Sequence, residues 1–152
     1  MNRISSVLVA LALMTVSTQS GSAQGNDRYG IQNVVYHINY DGGDGDQRYK
    51  GALKNIQNHI NAVGAENINV KVVLHSYGVG LLASAQSSEE LQEQVLSLKH
   101  QNVDMHVCNN TLNSKNISYE DDLFDVAEVD IIPSGVAELS HLQMQGYTYI
   151  KP

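Results

Sequence analysis

The apolar residues of this chain follow two alternating patterns after residue 32. Five short β-branched and aromatic runs lie at residues 33–40, 69–75, 103–108, 129–132 and 147–150. Such runs are typical of strands buried on both faces, as in parallel sheets covered by helices. Between them, apolar residues recur at steps of three and four, which indicates amphipathic helices. Strands that alternate with helices favour parallel pairing through right-handed crossovers. We therefore expect a single α/β domain, a three-layer sandwich around a five-stranded, mostly parallel sheet.

The predicted helices differ in how clearly they begin and end. Residues 47–63 carry a regular apolar stripe that Gly64 should end, because glycine commonly terminates a helix. Ser87, with Glu90 three residues later, predicts a capping box before the next helix. Residues 76–83 contain glycine and are predicted to form a loop. Further helices are predicted at residues 110–115 and 134–145. A flavodoxin-like strand order is expected for this arrangement.

The first 23 residues have the layout of a secretory signal peptide. A basic start at Arg3 precedes an apolar run at residues 4–16, and small residues follow up to Ala23. A transmembrane helix needs about 20 apolar residues, more than this run supplies. The alternatives are an uncleaved anchor or a buried N-terminal helix. We expect a periplasmic or secreted protein with no membrane segment after cleavage, a flexible lead-in at residues 24–32 and an α/β domain at residues 33–152.

Charge and cysteine content narrow the possible functions. The formal net charge is −7 and no basic cluster occurs, which argues against partners that need many Lys and Arg contacts, such as nucleic acids. Residues 42–45 lack the spacing of a dinucleotide-binding loop, and no organic cofactor is predicted. Cys108 is the one cysteine of the sequence, so an internal disulfide is impossible. It is therefore buried and inert, paired between chains, or a free reactive thiol.

Candidate chemistry gathers where the predicted strands end, since ligands of open parallel sheets bind beyond the carboxyl ends of strands. The candidate catalytic residue is Cys108. The candidate binding residues are His37, Asn39, His75, His106, Asn109, Asn110 and Thr111. A thiol at the start of a helix is expected to have a lowered pKa, and a protonated His75 or His106 nearby would lower it further.

Other readings of the same residues stay open. Cys108 could simply fill space at the edge of the sheet. His75, His106 and Cys108 could instead bind zinc or copper, although no CxxC or HxxxH pair supports this, and no metal site is predicted. His59 and His100 lie among polar neighbours in helical segments and are predicted to be solvated.

Two segments of the sequence resemble the DsrE/DsrF family. The first segment, at residues 102–112 and 115–117, is similar to the active-cysteine segment of that family. The second, the tail at residues 133–139 and 143–152, is similar to a subgroup of the family. The resemblance implies a flavodoxin-like fold, assembly into dimers, trimers or hexamers, and a cysteine that carries sulfur as a persulfide in several members. Only Cys108 takes a role from this resemblance. The well-described sulfur relays are cytoplasmic hetero-oligomers, whereas this chain is predicted to be exported.

The leading hypothesis is a periplasmic sulfur-handling protein, a carrier or sulfurtransferase. Cys108 would hold sulfane sulfur as a persulfide and pass it to an acceptor thiol. Because the sequence has no second cysteine, the acceptor must be another molecule. The alternative is a non-enzymatic, homo-oligomeric binding module with a structural cysteine, and a metal-binding protein is less favoured.

Overall fold

The computed structural model describes residues 28–152 and places five strands in one parallel sheet. The strands are β1 (Gln32–Ile38), β2 (Ile68–Leu74), β3 (Asp104–Cys108), β4 (Ile131–Ile132) and β5 (Thr148–Ile150). Their order across the sheet is 4-3-2-1-5, with parallel pairing throughout. The predicted signal peptide lies outside the described residues.

Six α-helices connect these strands. They are α1 (Gln47–Val63), α2 (Gly80–Ala85), α3 (Glu89–Lys99), α4 (Asn109–Lys115), α5 (Tyr119–Asp122) and α6 (Gly135–Met144). Short 3-10 turns occur at Asp44–Asp46, Ala65–Asn67, Ser76–Val79 and Glu128–Asp130. None of the helices within residues 28–152 is both long and apolar enough to cross a membrane.

The α/β class with a five-stranded parallel sheet is confirmed, but the order of the strands differs from the flavodoxin order 2-1-3-4-5. Strands β2, β3 and β4 are each added on the same side of the preceding strand, and β5 returns to the other side of β1. The direction of a right-handed crossover decides which face its helix covers. Helices α1 to α5 therefore lie on one face of the sheet, and α6 lies on the other.

The two faces of the sheet are buried to very different extents. The face under α1 to α5 carries the main core, in which β1 contributes Val34, Tyr36 and Ile38. The α6 face has a small apolar cluster of Val35, Val73, Leu139 and Leu142, with Tyr147 packed against it. Polar side chains at the ends of β1 and β2 therefore lie beside a single helix instead of under a continuous layer.

The predicted loop at residues 76–83 is wrong, because most of it is helical. A 3-10 turn at Ser76–Val79 leads directly into α2. Gly78 explains the tight path: a Cβ atom there would lie 1.9 Å from the carbonyl oxygen of Ile38. The glycine that suggested a loop is instead needed where the backbone crosses the end of β1.

Two further local predictions are corrected. Ser88, not Ser87, caps α3, and its Oγ accepts a hydrogen bond from the Leu91 amide at 3.4 Å. His59 is half-buried rather than fully solvated: its Nδ1 lies 2.8 Å from the Tyr36 hydroxyl and its Nε2 lies 2.8 Å from the Gln32 side-chain oxygen. Burial lowers the pKa of His59. Its partners come from β1, which the helical pattern around His59 does not reveal.

Candidate functional site

Cys108 is the last residue of β3 and directly precedes α4. Its side chain is buried, with 4% of the residue exposed. It nevertheless lines a cavity of about 270 Å³. The other lining residues are His75, Ser76, Asn110, Thr111, Ser114, Lys115, Ser134, Gly135 and Val136. Small reagents can therefore reach the sulfur, whereas the flat surface of another protein cannot.

The Cys108 sulfur accepts several hydrogen bonds. Burial alone raises the pKa of this thiol, because it disfavours the charged form. Backbone N–H groups of Gly135, Thr111 and Asn110 and the Thr111 hydroxyl donate to the sulfur and outweigh the effect of burial, so the pKa is lowered. The thiolate is the nucleophilic form of cysteine. The environment of Cys108 thus favours a reactive thiol over an inert one.

Thr111 has a second hydrogen bond that orients its hydroxyl. The Ser76 amide donates to Thr111 Oγ1 at 2.9 Å, which leaves the hydroxyl proton available for Cys108. Ser76 has φ of 54°, in the left-handed region that non-glycine residues rarely adopt. Such strained residues persist where surrounding contacts hold them, and they cluster at functional sites. The loop after β2 is therefore held against α4 at the cysteine.

Gly135 brings the first turn of α6 close to Cys108. A Cβ atom on Gly135 would lie 2.8 Å from the Cβ atom and 3.0 Å from the Cγ atom of His75. Real Cβ atoms almost never approach so closely. Glycine is thus required for α6 to pack against His75 while its first amide reaches the sulfur.

A hydrogen-bonded cluster of three side chains lies beside this site. His37 Nε2 is 2.6 Å from His75 Nε2, and His37 Nδ1 is 2.7 Å from the Tyr149 hydroxyl. The two imidazole planes are within 9° of parallel, with ring centroids 4.7 Å apart. The rings meet edge to edge, because face-stacked rings keep their atoms about 3.5 Å apart. The two histidines therefore share a hydrogen bond nearly in the plane of their rings.

The cluster lines a second, larger cavity of about 750 Å³ on the α6 face. The lining residues are His37, Asn39, His75, Val136, Leu139, Ser140, Gln143, Met144 and Tyr149. His75 and Val136 also line the Cys108 cavity. His75 is therefore the polar side chain that both cavities share.

Both histidines favour the neutral form. Burial, followed by the nearby His75 and Lys151, lowers the pKa of His37 to about 4. Burial and then Lys151 lower the pKa of His75. His75 therefore does not provide the positive charge that the sequence suggested for the thiolate. The hydrogen bonds from α4 and α6 stabilise the thiolate instead.

The structure brings some of the predicted binding residues together and separates others. His75, Asn110 and Thr111 line the cavity of Cys108, and His37 and Asn39 line the larger cavity. His106 lines neither of these two cavities. Its Nδ1 lies 3.0 Å from Glu138 Oε1, and this largely buried pair links β3 to α6. Asn109 is exposed and also lies outside both cavities.

The suggested metal ligands do not assemble. Across residues 28–152, no group of three or more His, Cys, Asp or Glu side chains is placed to hold a metal ion. His75 points one ring nitrogen at His37, and His106 is paired with Glu138. The arrangement favours thiol chemistry supported by hydrogen bonds over metal binding.

Sequence reasoning missed three residues of the site. Gly135 and Lys115 line the Cys108 cavity, and Tyr149 lies in the larger one. Lys115 is the one cation among the residues lining the smaller cavity, and its Nζ lies 4.3 Å from the centre of the Tyr77 ring. The sequence does contain a signal for Gly135, because this residue directly follows Ser134, the N-cap of α6. Nothing in the sequence shows the pairing of β5 with β1 that places Tyr149.

Both the sequence and the fold are similar to those of known proteins. The DsrE/DsrF-like family matches residues 33–152. No curated protein matches the sequence. The protein MTH1491 from Methanobacterium thermoautotrophicum, whose function is unknown, is 29% identical with a TM-score of 0.65, over 80% of this chain and 99% of that one. The ychN protein from E. coli is 18% identical with a TM-score of 0.62, over 80% of this chain and 100% of that one, a likeness of fold alone.

Proposed function

The chain belongs to the DsrE/DsrF-like family, and we propose that it carries sulfane sulfur as a persulfide on Cys108 and passes it to an acceptor thiol. Membership of this family implies a sulfur-relay type of function in general terms. The observation that carries the specific proposal is the set of hydrogen bonds that lowers the pKa of a thiol lining a small cavity. Those bonds favour the thiolate that must attack sulfur.

Loading needs no group besides the thiolate and an anionic donor. With thiosulfate as the donor, Cys108 Sγ attacks the outer sulfur and forms a new S–S bond. The S–S bond within thiosulfate breaks, and sulfite leaves with the electron pair, so charge is conserved without a proton. Lys115 at the cavity supplies positive potential for such a donor.

The acceptor must be a separate molecule. Cys108 is the one cysteine in the sequence, so no second thiol of this chain can resolve the persulfide. Because Cys108 is 4% exposed, the acceptor thiol has to enter the cavity. A small thiol, or a cysteine on an extended segment of a partner, meets this requirement.

Location and assembly form part of the same proposal. The basic, apolar and small segments of residues 1–23 support export to the periplasm or beyond. A homo-oligomer is proposed on the family resemblance. N-terminal sequencing of protein recovered from the periplasm tests the first proposal, with a start after Ala23 as the expected result. Light scattering of the purified protein tests the second, and a monomer would contradict it.

Intact-mass measurement tests the sulfur-carrier function directly. After incubation with thiosulfate or polysulfide, the wild-type protein should gain the mass of one or more sulfur atoms, and dithiothreitol should remove it as sulfide. Cys108→Ser should gain nothing. As a control, Ser97→Cys in the Cys108→Ser background supplies an exposed thiol on α3 without the hydrogen bonds of the site.

The control separates a special site from ordinary thiol reactivity. We expect the Ser97→Cys thiol to load much more slowly than Cys108 at neutral pH. A wild-type protein that gains no sulfur would contradict the proposal and support the binding module with a structural cysteine. Equal loading of the two thiols would show that the environment of Cys108 adds nothing.

A further inference from the structure

We propose that Tyr149, His37 and His75 form a proton-transfer chain that serves the release of sulfur from Cys108. The inference rests on the proposed sulfur transfer and adds a proton step to it. The chain would take a proton from the acceptor thiol in the Cys108 cavity. It would release another proton from the Tyr149 hydroxyl into the larger cavity.

The geometry of the cluster supports such a chain. Consecutive hydrogen bonds of 2.7 Å and 2.6 Å join Tyr149 to His37 and His37 to His75. An imidazole can accept a proton on one ring nitrogen and donate from the other. His37 uses Nδ1 towards Tyr149 and Nε2 towards His75, so both of its ring nitrogens are within the chain.

Two neutral arrangements of protons fit these bonds. In the first, His75 Nε2–H donates to His37, His37 Nδ1–H donates to the Tyr149 oxygen, and His75 Nδ1 is free to accept. In the second, Tyr149 donates to His37, His37 donates to His75, and His75 Nδ1 carries a proton. The first arrangement becomes the second when His75 Nδ1 gains a proton and the Tyr149 hydroxyl gives its proton to solvent.

The chain reaches from one cavity to the other. Tyr149 is 43% exposed and lines the larger cavity, which gives the released proton a path to water. His75 lines both cavities and packs against Gly135, whose amide donates to the Cys108 sulfur. His75 is thus the member of the chain that shares a cavity with the reacting thiol.

The charges around the cluster explain why a chain is needed. Burial and the cation of Lys151 lower the pKa values of both His37 and His75, so an isolated imidazolium is disfavoured. The titratable groups beside the pair are Tyr149, which bonds His37, Lys151, which lowers both pKa values, and Cys108 and Lys115, which share a cavity with His75. Concerted transfer along the hydrogen bonds lets His75 act as a base while no ring has to hold a positive charge.

Discharge balances with one proton taken up by the persulfide and one proton released at Tyr149. The persulfide left by loading, Cys108–S–S⁻, first takes up one proton from solvent. The acceptor R–SH then gives its proton to His75, and the resulting thiolate attacks the outer sulfur of the Cys108–S–SH group. The bond between Cys108 Sγ and the outer sulfur breaks, and its electron pair stays on Sγ. The products are R–S–SH, the Cys108 thiolate and one proton released at Tyr149.

Loading and discharge therefore make different demands on the cluster. Loading from thiosulfate moves no proton, whereas in discharge the acceptor thiol has to lose its proton before it can attack. Substitutions in the cluster should slow discharge and leave loading from thiosulfate unchanged. A purely structural role would affect both half-reactions, or neither.

The proton-transfer chain can be tested by single-turnover discharge of the preloaded persulfide to glutathione. The discharge is followed by intact-mass measurement over a range of pH. Positioned acid–base groups commonly contribute about 10²–10⁴-fold to a rate. We expect Tyr149→Phe to slow discharge by about tenfold and His37→Gln by more, with thiosulfate loading as in the wild type. As pH falls towards about 4, the wild-type advantage should shrink, because His37 is then protonated and cannot relay a proton.

Two residues outside the proton-transfer chain provide matched control variants. Tyr147→Phe removes another phenol near β5, one whose oxygen accepts from Asn69 at 2.7 Å. His59→Gln removes a histidine that also bonds a tyrosine hydroxyl and has a lowered pKa, but lies on the other face of the sheet. Both controls should discharge at the wild-type rate.

The outcomes separate this inference from the proposed function. If the wild-type protein does not load, sulfur transfer itself fails before discharge is measured. If loading succeeds but Tyr149→Phe and His37→Gln discharge at the wild-type rate, the proton chain is overturned and the carrier function stands. A nitrogen NMR spectrum showing either His37 or His75 as imidazolium at neutral pH would also overturn the chain.

Discussion

Substitution of Gly135 by alanine tests how the protein keeps a buried thiol ionised. The added Cβ atom would lie 2.8 Å from the Cβ atom of His75. His75 has little room to retreat, because its Nε2 atom is held 2.6 Å from His37. The first turn of α6 must therefore move outward, and the hydrogen bond from the Gly135 amide to the Cys108 sulfur lengthens or breaks.

The size of the effect follows from that one hydrogen bond. A hydrogen bond to a charged group contributes about 1.5–3 kcal/mol. If the thiolate loses about 1.5 kcal/mol of stabilisation, the pKa of Cys108 rises. The ionised fraction of the thiol then falls about tenfold at any pH below the wild-type pKa. Cys108 is 4% exposed, so solvent offers little replacement for the lost donor.

Alkylation by iodoacetamide as a function of pH measures this change, because the thiolate is the species that reacts. Gly135→Ala should shift the profile to higher pH while the rate at the high-pH plateau stays near the wild-type rate. Gly51→Ala is the matched control, since a Cβ atom on Gly51 in α1 meets nothing within 4 Å. It should leave the profile unchanged.

The same profile distinguishes ionisation from access. A lower plateau with an unshifted midpoint would mean that the alanine blocks the cavity and leaves the ionisation of the thiol unchanged. An unchanged profile in Gly135→Ala would mean that the α6 amide does not stabilise the thiolate. Either result would refute the reasoning above.

Three further predictions concern the same region. Thr111→Val removes a donor to Cys108 and leaves the Ser76 amide without its acceptor. Denaturant unfolding should show a loss of about 1–3 kcal/mol in the free energy of unfolding. An unchanged alkylation profile would contradict the role of the Thr111 hydroxyl at Cys108. Lys115→Gln should slow thiosulfate loading severalfold at low salt but not alkylation by neutral iodoacetamide, because salt screens exposed charges; equal effects on both would argue against a role of charge. The protein should lose stability as pH falls from about 6.5 to about 4, because the unfolded state then binds a proton that buried His37 does not. The lowered pKa of His37 corresponds to about 3 kcal/mol of free energy of unfolding. Denaturant titrations at several pH values should show that this free energy depends less on pH in His37→Gln.

The regular parts of the fold could be predicted from the sequence because local patterns specify them. Helix α1 has the predicted bounds, since its apolar stripe runs unbroken until Gly64. The strand order could not be predicted, because the return of β5 to the side of β1 depends on which edge of the sheet is free. The cap of α3 was misplaced by one residue, because Ser87 and Ser88 have the same capping chemistry.

The candidate site was predictable where strand ends supply its residues, as for Cys108, His75 and His37. Cys108, Asn110 and Thr111 lie at the junction of β3 and α4, and their proximity follows from the chain itself. Tyr149 and His37 are 112 residues apart in sequence, and their contact depends on the pairing of β5 with β1. Gly135 acts through its backbone amide, which no pattern of side chains can indicate.

The unequal faces of the sheet explain why the thiol is both buried and accessible. Within residues 28–152, α6 is the helix that packs on the face opposite α1 to α5, so it closes the sheet and supplies an amide to Cys108 at the same time. The His106–Glu138 pair fixes α6 on β3, one turn from that amide. The docking of α6 therefore contributes to lowering the pKa of the Cys108 thiol, while the uncovered end of the same face leaves the two cavities open. A second helix on this face would bury the histidine cluster and close the route from Tyr149 to solvent.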